Sequence, residues 1–165
     1  MTHYVADTNV PVVANGKSGQ ASDECVLACI QQLETVYANG KIVLDNLGLI
    51  LAEYRNHLSL SGQPGAGDYF MKWASDVQAN ELFCEQVKIT PKKNDPGSFD
   101  EFPRDPALQN FDRSDRKFVA VALASANRPT ILNAVDSDWS QYHGALALHG
   151  VEIKFLCGHS ARPHT

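Results

Sequence analysis

The stretch His3-Tyr4-Val5-Ala6-Asp7-Thr8-Asn9 places a short β-prone run directly before an acidic residue. Similar β-prone runs recur at 41–44, 87–90, 130–135 and 151–156, and helical patterns lie between them at 22–37, 45–58, 68–77, 114–125 and 139–148. Ser22 is expected to cap the first of these helices, and Asn39-Gly40 is expected to end it. This alternation predicts an α/β domain with three α/β/α layers and a central, mostly parallel sheet.

Length and composition are those of one globular domain. The chain has 165 residues, of which 44% are hydrophobic and 20% are charged. We expect a single domain over 1–157, with a long irregular loop at the proline-rich stretch 91–110, followed by a polar tail at 158–165. No apolar run reaches the roughly 18 residues that cross a bilayer, and the polar start is unlike a secretion signal. The sequence therefore predicts a cytoplasmic protein with no membrane partner.

Net charge and cysteine content limit the classes of function and of metal site that the chain could have. A net charge of -5 argues against a surface that coats nucleic acid broadly, but not against a nuclease whose acids are masked by metal. Four cysteines are present, and they lack the paired short spacings of a zinc site: Cys25, Cys29, Cys84 and Cys157. We expect them to be buried thiols.

Four acidic residues stand where such a fold could bring them together: Asp7, Glu53, Asp115 and Asp136. In a parallel sheet, ligands gather at the carboxyl ends of the strands, and Asp7 and Asp136 follow the first and fourth predicted strands. Asp115 would open a helix at that edge, and Glu53 could project toward it from its own helix. Mutual repulsion makes an empty cluster costly, so the pattern predicts a divalent cation site. Mg²⁺ or Mn²⁺ suits carboxylate oxygens, and a water activated by the ion could attack a phosphodiester.

Each acid also has a structural explanation. Asp7 could be a turn residue, Glu53 could be an exposed helix residue, and Asp115 could favour the helix dipole beside a Ser114 cap. Asp136 and the nearby Asp138 could be caps. Asp45 and Asp112 border predicted elements near the same edge, where capping alone would explain them.

Basic residues surround the predicted site. Arg113, Arg116 and Lys117 flank Asp115, and Arg55 follows Glu53. We expect these four to bind substrate phosphates, which positions a strand without reading its sequence. Lys92 and Lys93 could add contacts from the long loop. No serine or cysteine has a convincing base beside it in the sequence, and the chemistry requires no side-chain nucleophile.

Four motifs together resemble a PIN domain over about residues 2–156. They are Asp7-Thr8-Asn9 after the first strand, Leu51-Ala52-Glu53-Tyr54 in a helix, Asp115 before Val119-Ala120-Val121-Ala122, and Asp136-Ser137-Asp138-Trp139. The resemblance implies a Mg²⁺- or Mn²⁺-dependent ribonuclease, such as the toxins of bacterial toxin-antitoxin pairs. Asp7, Glu53, Asp115 and Asp136 match the family's four acids, with Asp138 as an alternate fourth ligand and with Asn9 and Asp112 as supporting residues. The chain departs from the family at Ala134, where Ser or Thr is usual and Asn133 could supply the polar group, and in the longer stretch 59–111.

The sequence thus predicts an endoribonuclease that hydrolyses RNA with a metal-activated water. Alternatives are a nuclease acting on DNA or on a nucleic-acid junction, and a non-catalytic binding or scaffold domain. A phosphate-transfer enzyme with an aspartyl nucleophile is weakened by Asn9, which stands where a second Asp is usual. A receiver-like domain would need a lysine near the end of the sheet, and Lys154 lies inside a predicted strand. An antitoxin partner and a homodimer are further options that the sequence does not decide.

Overall fold

Five parallel strands form one sheet in the computed structural model, which describes residues 1–157. The strands are β1 (Thr2–Ala6), β2 (Gly40–Asp45), β3 (Cys84–Val87), β4 (Thr130–Asn133) and β5 (Glu152–Phe155), in the order β3-β2-β1-β4-β5. Helices flank the sheet, so the predicted α/β class with a parallel central sheet is confirmed. The predicted tail at 158–165 lies outside the described residues.

The helices are α1 (Asn9–Ala14), α2 (Asp23–Asn39), α3 (Leu49–His57), α4 (Ala66–Val77), α5 (Arg116–Ala124), α6 (Ser137–Gln141) and α7 (His143–Leu148), with 3₁₀ turns at Pro106–Leu108 and Arg113–Asp115. The expected limits of α2 are confirmed, since Ser22 Oγ accepts a hydrogen bond from Cys25 N at 3.1 Å and Gly40 begins β2. Among residues 1–157, no helix has both the length and the apolar character needed to cross a membrane.

The structure differs from the prediction at three elements. Helix α1 was not predicted, because its valines favour strands; burial of Val10 and Val13 outweighs that preference. The third strand ends at Val87 instead of spanning 87–90, because the backbone beyond it turns to the Asn46 side chain, whose Oδ1 accepts from Ile89 N at 3.1 Å. The last predicted helix is two helices, divided at Tyr142, where φ is -102° and ψ is 8°.

Strand β1 lies at the centre of the sheet, and its position determines where the polar residues that follow it lie. Tyr4 pairs with Ile42 on β2 and with Thr130 on β4. The inner residues of these strands are fully buried, as expected when helices cover both faces. The last backbone contact of β1 is a 3.1 Å hydrogen bond from Asp7 N to Leu132 O. The side chains that follow β1 and β4 therefore meet at one edge.

The long loop is ordered around Arg116. Its guanidinium donates hydrogen bonds to Ser98 Oγ at 3.1 Å, Gln109 O at 2.8 Å and Phe111 O at 3.2 Å, and it lies 4.6 Å from the centre of the Phe102 ring. Several apolar loop side chains are buried with it: Phe99, Phe102, Leu108 and Phe111. Across 91–110 the structure has a 3₁₀ turn at Pro106–Leu108 and an isolated antiparallel bridge between Pro91 and Phe99, with no strand or α-helix.

The cysteines contradict part of the sequence prediction. Cys25 on α2 and Cys157 after β5 form a disulfide across 132 residues of sequence, with their Cα atoms 4.8 Å apart. Cys29 and Cys84 are buried free thiols, as predicted, and burial raises the pKa of each to about 12. The expectation of a thiol at Cys25 and Cys157 was wrong because their proximity comes from packing of α2 near the end of β5, which no sequence spacing shows.

Asp45 has a structural role that the sequence left undecided. Its carboxylate accepts hydrogen bonds from the backbone N–H groups of Leu47 at 3.0 Å, Leu49 at 2.9 Å and Ile50 at 2.9 Å. These groups lie in the turn before α3 and in its first turn, where no helical carbonyl is available to them. Asp45 therefore joins the end of β2 to the start of α3.

We expect Asp45→Ala to lower the free energy of unfolding by about 2 to 3 kcal/mol, because it leaves three backbone donors without their acceptor. Urea denaturation measures this change. Asp76→Ala is the matched control, since the exposed Lys72–Asp76 pair on α4 should contribute less than about 0.5 kcal/mol. Equal losses in the two variants would contradict the assigned role.

Candidate active site

Three of the four predicted acids converge at the carboxyl edge of the sheet. Asp7, Asp115 and Asp136 each offer a carboxylate oxygen, and these oxygens lie within 4.8 Å of one another. Asp7 directly follows β1, Asp136 lies in the turn after β4, and Asp115 ends a 3₁₀ turn directly before α5. The convergence follows from the sheet order, because β1 and β4 are neighbours.

A second group of carboxylates adjoins the first. Asp112, Asp115 and Asp138 also offer oxygens within 4.8 Å of one another, so Asp115 belongs to both groups. Asp112 is exposed and Asp138 is partly buried. Burial, followed by the charges of Asp136 and Asp112, raises the pKa of Asp138. The five acids thus form two overlapping groups that share Asp115.

Asp7 is held in place by two hydrogen bonds. Its Oδ1 accepts from Asn9 N at 2.9 Å, and its Oδ2 accepts from Trp139 Nε1 at 2.7 Å. Burial raises the pKa of Asp7 to about 7 in spite of these bonds, and the charges of Asp136 and Glu53 add to the increase. The contribution of Trp139 was not predicted, because an indole in an amphipathic helix is ordinarily explained by packing.

Asp115 is the most perturbed acid of the group. Burial raises its pKa to about 9, with further contributions from the charges of Asp7 and Asp136. Within the described chain its Oδ2 is buried and has no hydrogen-bond partner. Such an orphaned carboxylate oxygen is costly unless a proton or a cation satisfies it.

Helix capping does not explain Asp115. Its side chain makes no capping hydrogen bond, although the residue directly precedes α5. The cap of the preceding 3₁₀ turn is Asp112, whose Oδ1 accepts from both N and Oγ of Ser114 at 2.9 Å. The expectation that Ser114 serves as the cap was therefore wrong, since its hydroxyl is turned toward Asp112.

The residues present fit a hard divalent cation. The donors are carboxylate oxygens, which Mg²⁺ and Mn²⁺ prefer, and no thiol or imidazole lies in either carboxylate group. Burial is the main cause of the raised pKa values of Asp7 and Asp115, and repulsion between the neighbouring carboxylates adds to it. A cation would relieve that repulsion and would satisfy Asp115 Oδ2.

Asn9 ties the two acid-bearing loops together. Its Nδ2 donates to Asn133 Oδ1 at 2.9 Å, and its Oδ1 accepts from Ala134 N at 2.7 Å. Asn133, which is fully buried, in turn accepts from Asp136 N at 3.2 Å and donates to Asp136 O at 3.1 Å. The Asn9 amide is therefore engaged with the polypeptide, and its contacts indicate that it positions Asp7 and Asp136.

Glu53 lies beside the three-acid group but is not part of it. Its carboxylate accepts hydrogen bonds from Thr8 Oγ1 and Lys117 Nζ. Lys117 Nζ also donates to Ser114 O, so one ammonium group links α3 to the start of α5. The structure thus gives the fourth predicted acid a cationic side chain as its partner, whereas Asp136, Asp112 and Asp138 belong to the carboxylate groups that contain Asp115.

The predicted substrate-binding residues have different environments. Arg55 is exposed on α3, and Arg113 is exposed but donates to Asp95 and to Pro96 O. Arg116 is buried, and its guanidinium faces the long loop, which gives it a structural role that the sequence did not indicate. A cavity of about 430 Å³ is lined by residues of the long loop together with Arg113 and Arg116, and its basic lining residues are Lys92, Arg104, Arg113 and Arg116.

Comparison of the chain with protein-family models, with curated proteins and with solved structures finds no match. The resemblance to PIN domains rests on the residues that carry it and stays a prediction.

The raised pKa values lead to a prediction about stability without metal. The pKa of Asp115 is higher in the folded chain than the ordinary 3.8, so the folded state binds its proton more tightly and stability falls as pH rises from about 4 through about 9. In chelator, we expect Asp115→Asn to raise the melting temperature more at pH 8 than at pH 5. Each kcal/mol should correspond to about 2–4 °C for a chain of this size.

Thermal melts at the two pH values measure the effect, with Asp100→Asn on the exposed loop surface as the control. An Asp115→Asn change in melting temperature that is the same at both pH values would contradict the assignment.

Proposed function

We propose that this protein is a Mg²⁺- or Mn²⁺-dependent nuclease that hydrolyses phosphodiester bonds, with RNA as the favoured substrate. One observation carries the proposal: three carboxylates converge at the carboxyl edge of a parallel sheet, and one of them has a buried oxygen without a hydrogen-bond partner among residues 1–157. This edge is where α/β sheets bind their ligands. Hydrolysis by activated water is the chemistry that such an oxygen cluster supports best.

Asp7, Asp115 and Asp136 would hold the ion, and Asp112 and Asp138 offer further donors in a second group that shares Asp115. When bound, such an ion activates water and offsets charge on phosphate oxygens. The chain itself supplies orientation. Trp139 and Asn9 fix the Asp7 carboxylate, and Asn133 fixes the backbone that carries Asp136.

Substrate contacts would come from basic groups around the acids. Lys92 and Arg104 line the cavity at the long loop, and Arg113, the residue after Asp112, lines it too. Arg55 is exposed on the neighbouring α3. Contacts of this kind hold a phosphate backbone, which suits a polymeric nucleic acid better than a small ester. Arg116 is left out of this set because its guanidinium is buried against the loop.

The other enzyme classes fit the geometry less well. Both oxygens of Asp7 already accept hydrogen bonds, which disfavours its use as a phosphate-accepting nucleophile. Lys154 donates to Gln32 Oε1 at 2.7 Å, so it is engaged at the edge strand and does not serve as a receiver-type lysine. A DNA nuclease would use the same carboxylates, and a scaffold would use none of them. The resemblance to PIN domains adds a toxin role with an antitoxin partner to the proposal. A homodimer and a cytoplasmic location are part of the same extended proposal.

Cleavage of labelled RNA and DNA tests the proposal. We expect RNA cleavage with Mn²⁺ or Mg²⁺ that stops in chelator, and we expect a loss of at least about 100-fold in Asp7→Asn and Asp115→Asn, because each removes charge from the proposed ion site. Asp100→Asn should retain parental activity. Preferred cleavage of DNA would move the assignment to the DNA alternative, and the absence of cleavage of either polymer would favour a scaffold.

Metal binding can be measured independently of cleavage. At about 100 times its dissociation constant, one ion should stabilise the fold by about 2.7 kcal/mol and raise the melting temperature by about 5–10 °C. Asp115→Asn should remove most of this increase. An equal increase in parent and variant would show that the ion binds elsewhere.

Lys117→Met separates ion binding from substrate contact. The Lys117 ammonium offsets the charge of Glu53, so its removal should tighten binding of Mn²⁺ by several-fold, while RNA cleavage falls because a cation beside the site is lost. Calorimetric titration and the cleavage assay measure the two effects, with Lys72→Met on the exposed surface of α4 as the control. Weaker ion binding in Lys117→Met would contradict the assigned role of the pair.

A further inference from the structure

Three cysteine sulfurs meet at a second place in the fold. Cys25 and Cys29 are one helical turn apart on α2, and Cys157 follows β5. Their Sγ atoms lie within 4.8 Å of one another. Cys25 and Cys29 are buried, and Cys157 is partly exposed. The fourth cysteine, Cys84, is on β3 at the opposite side of the sheet and is not part of this group.

The disulfide uses only two of these sulfurs and leaves Cys29 beside it. A disulfide needs one pair of cysteines, so it does not explain why a third sulfur lies within reach of both partners. Four-coordinate zinc has Zn–S bonds of about 2.3 Å, which places its sulfur ligands roughly 3.8 Å apart. The three sulfurs are therefore near the spacing of a thiolate metal site once the disulfide is open.

We propose that Cys25, Cys29 and Cys157 form a thiolate site that binds a zinc-class divalent ion in the reduced protein and is closed by the disulfide in the oxidised protein. Two protein ligands come from one face of a rigid helix and the third comes from the chain after β5. Three sulfurs leave the fourth position of a tetrahedral ion to a ligand outside this group, on the partly exposed side where Cys157 lies. Thiolate sulfur selects zinc-class ions over Mg²⁺ and Mn²⁺, which prefer oxygen.

Reduction of the Cys25–Cys157 disulfide opens the site. A cellular dithiol gives two electrons and two protons, the Cys25–Cys157 bond breaks into two thiols, and the dithiol becomes a disulfide. Such reductants keep thiols reduced in the cytoplasm that the sequence predicts. Each cysteine that then becomes a ligand releases its proton to solvent, since a coordinating thiol is deprotonated.

The inference does not depend on the proposed nuclease activity. The thiol group shares no residue with the carboxylate groups, and its ligand chemistry is different. Its failure would leave the nuclease proposal standing, and the reverse also holds.

Titration with Cd²⁺ or Co²⁺ tests the site, because both ions give a thiolate-to-metal charge-transfer absorption. The full chain is reduced with a phosphine, which offers no competing thiol, and saturating Mg²⁺ keeps the carboxylates occupied. We expect one equivalent to bind to the reduced parent and to Cys84→Ser, the matched control for a buried free thiol. Cys29→Ser and Cys157→Ser should bind at least about tenfold more weakly, and the oxidised parent should show no such absorption.

Cys29→Ser is decisive because it removes one sulfur and keeps both disulfide partners. Its far-UV circular dichroism and its formation of the Cys25–Cys157 disulfide establish that it is folded, and Cys29→Ala replaces it if it is not. Absence of the absorption in the reduced parent would overturn the proposal, as would undiminished affinity in the folded Cys29 variant.

Discussion

The burial of the Asp7 and Asp115 side chains beside Asp136 constrains the edge of the sheet at which the strands end. Asp7 continues from a central strand whose neighbours are fixed by hydrogen bonds, so it cannot withdraw from the interior without loss of sheet contacts. Asp115 precedes a helix that packs on β1, β2 and β4. Both acids are therefore held where solvent reaches them poorly, and their pKa values rise to about 7 and about 9. The fold keeps these two acids where ionisation is unfavourable, as is common at functional sites.

The hydrogen bonds around the acids prevent the repulsion from being relieved by movement. Asn9 joins the turn after β1 to the turn after β4, and Trp139 holds one oxygen of Asp7 from α6. Asn133 holds both backbone groups of Asp136. Because the cluster is already fixed, cation binding requires little reorganisation. Little of the binding free energy is therefore lost to the ordering of loops.

The sequence predicted the elements whose signals are local and missed those that depend on packing. Strand alternation and the cap at Ser22 were enough for the parallel sheet and for α2, and the position of Asp7 and Asp136 after strands was enough to place them at one edge. The pairing of Glu53 with Lys117 could not be predicted, because 64 residues separate them and either could have faced solvent. The same limit applies to Cys25 and Cys157, and to the indole of Trp139, whose hydrogen bond depends on how α6 packs.

The Glu53–Lys117 pair shows how the fold limits the charge of its acidic edge. The two carboxylate groups together contain five acids, and an unpaired Glu53 would add a further carboxylate beside them. Lys117, whose side chain is 12% exposed, cancels that charge at short range and is anchored by Ser114 O. A pair of this kind keeps its attraction because water screens it little. The aspartates then determine the net charge that an incoming cation meets. The Lys117 ammonium lies beside them as a positive group that a phosphate could approach.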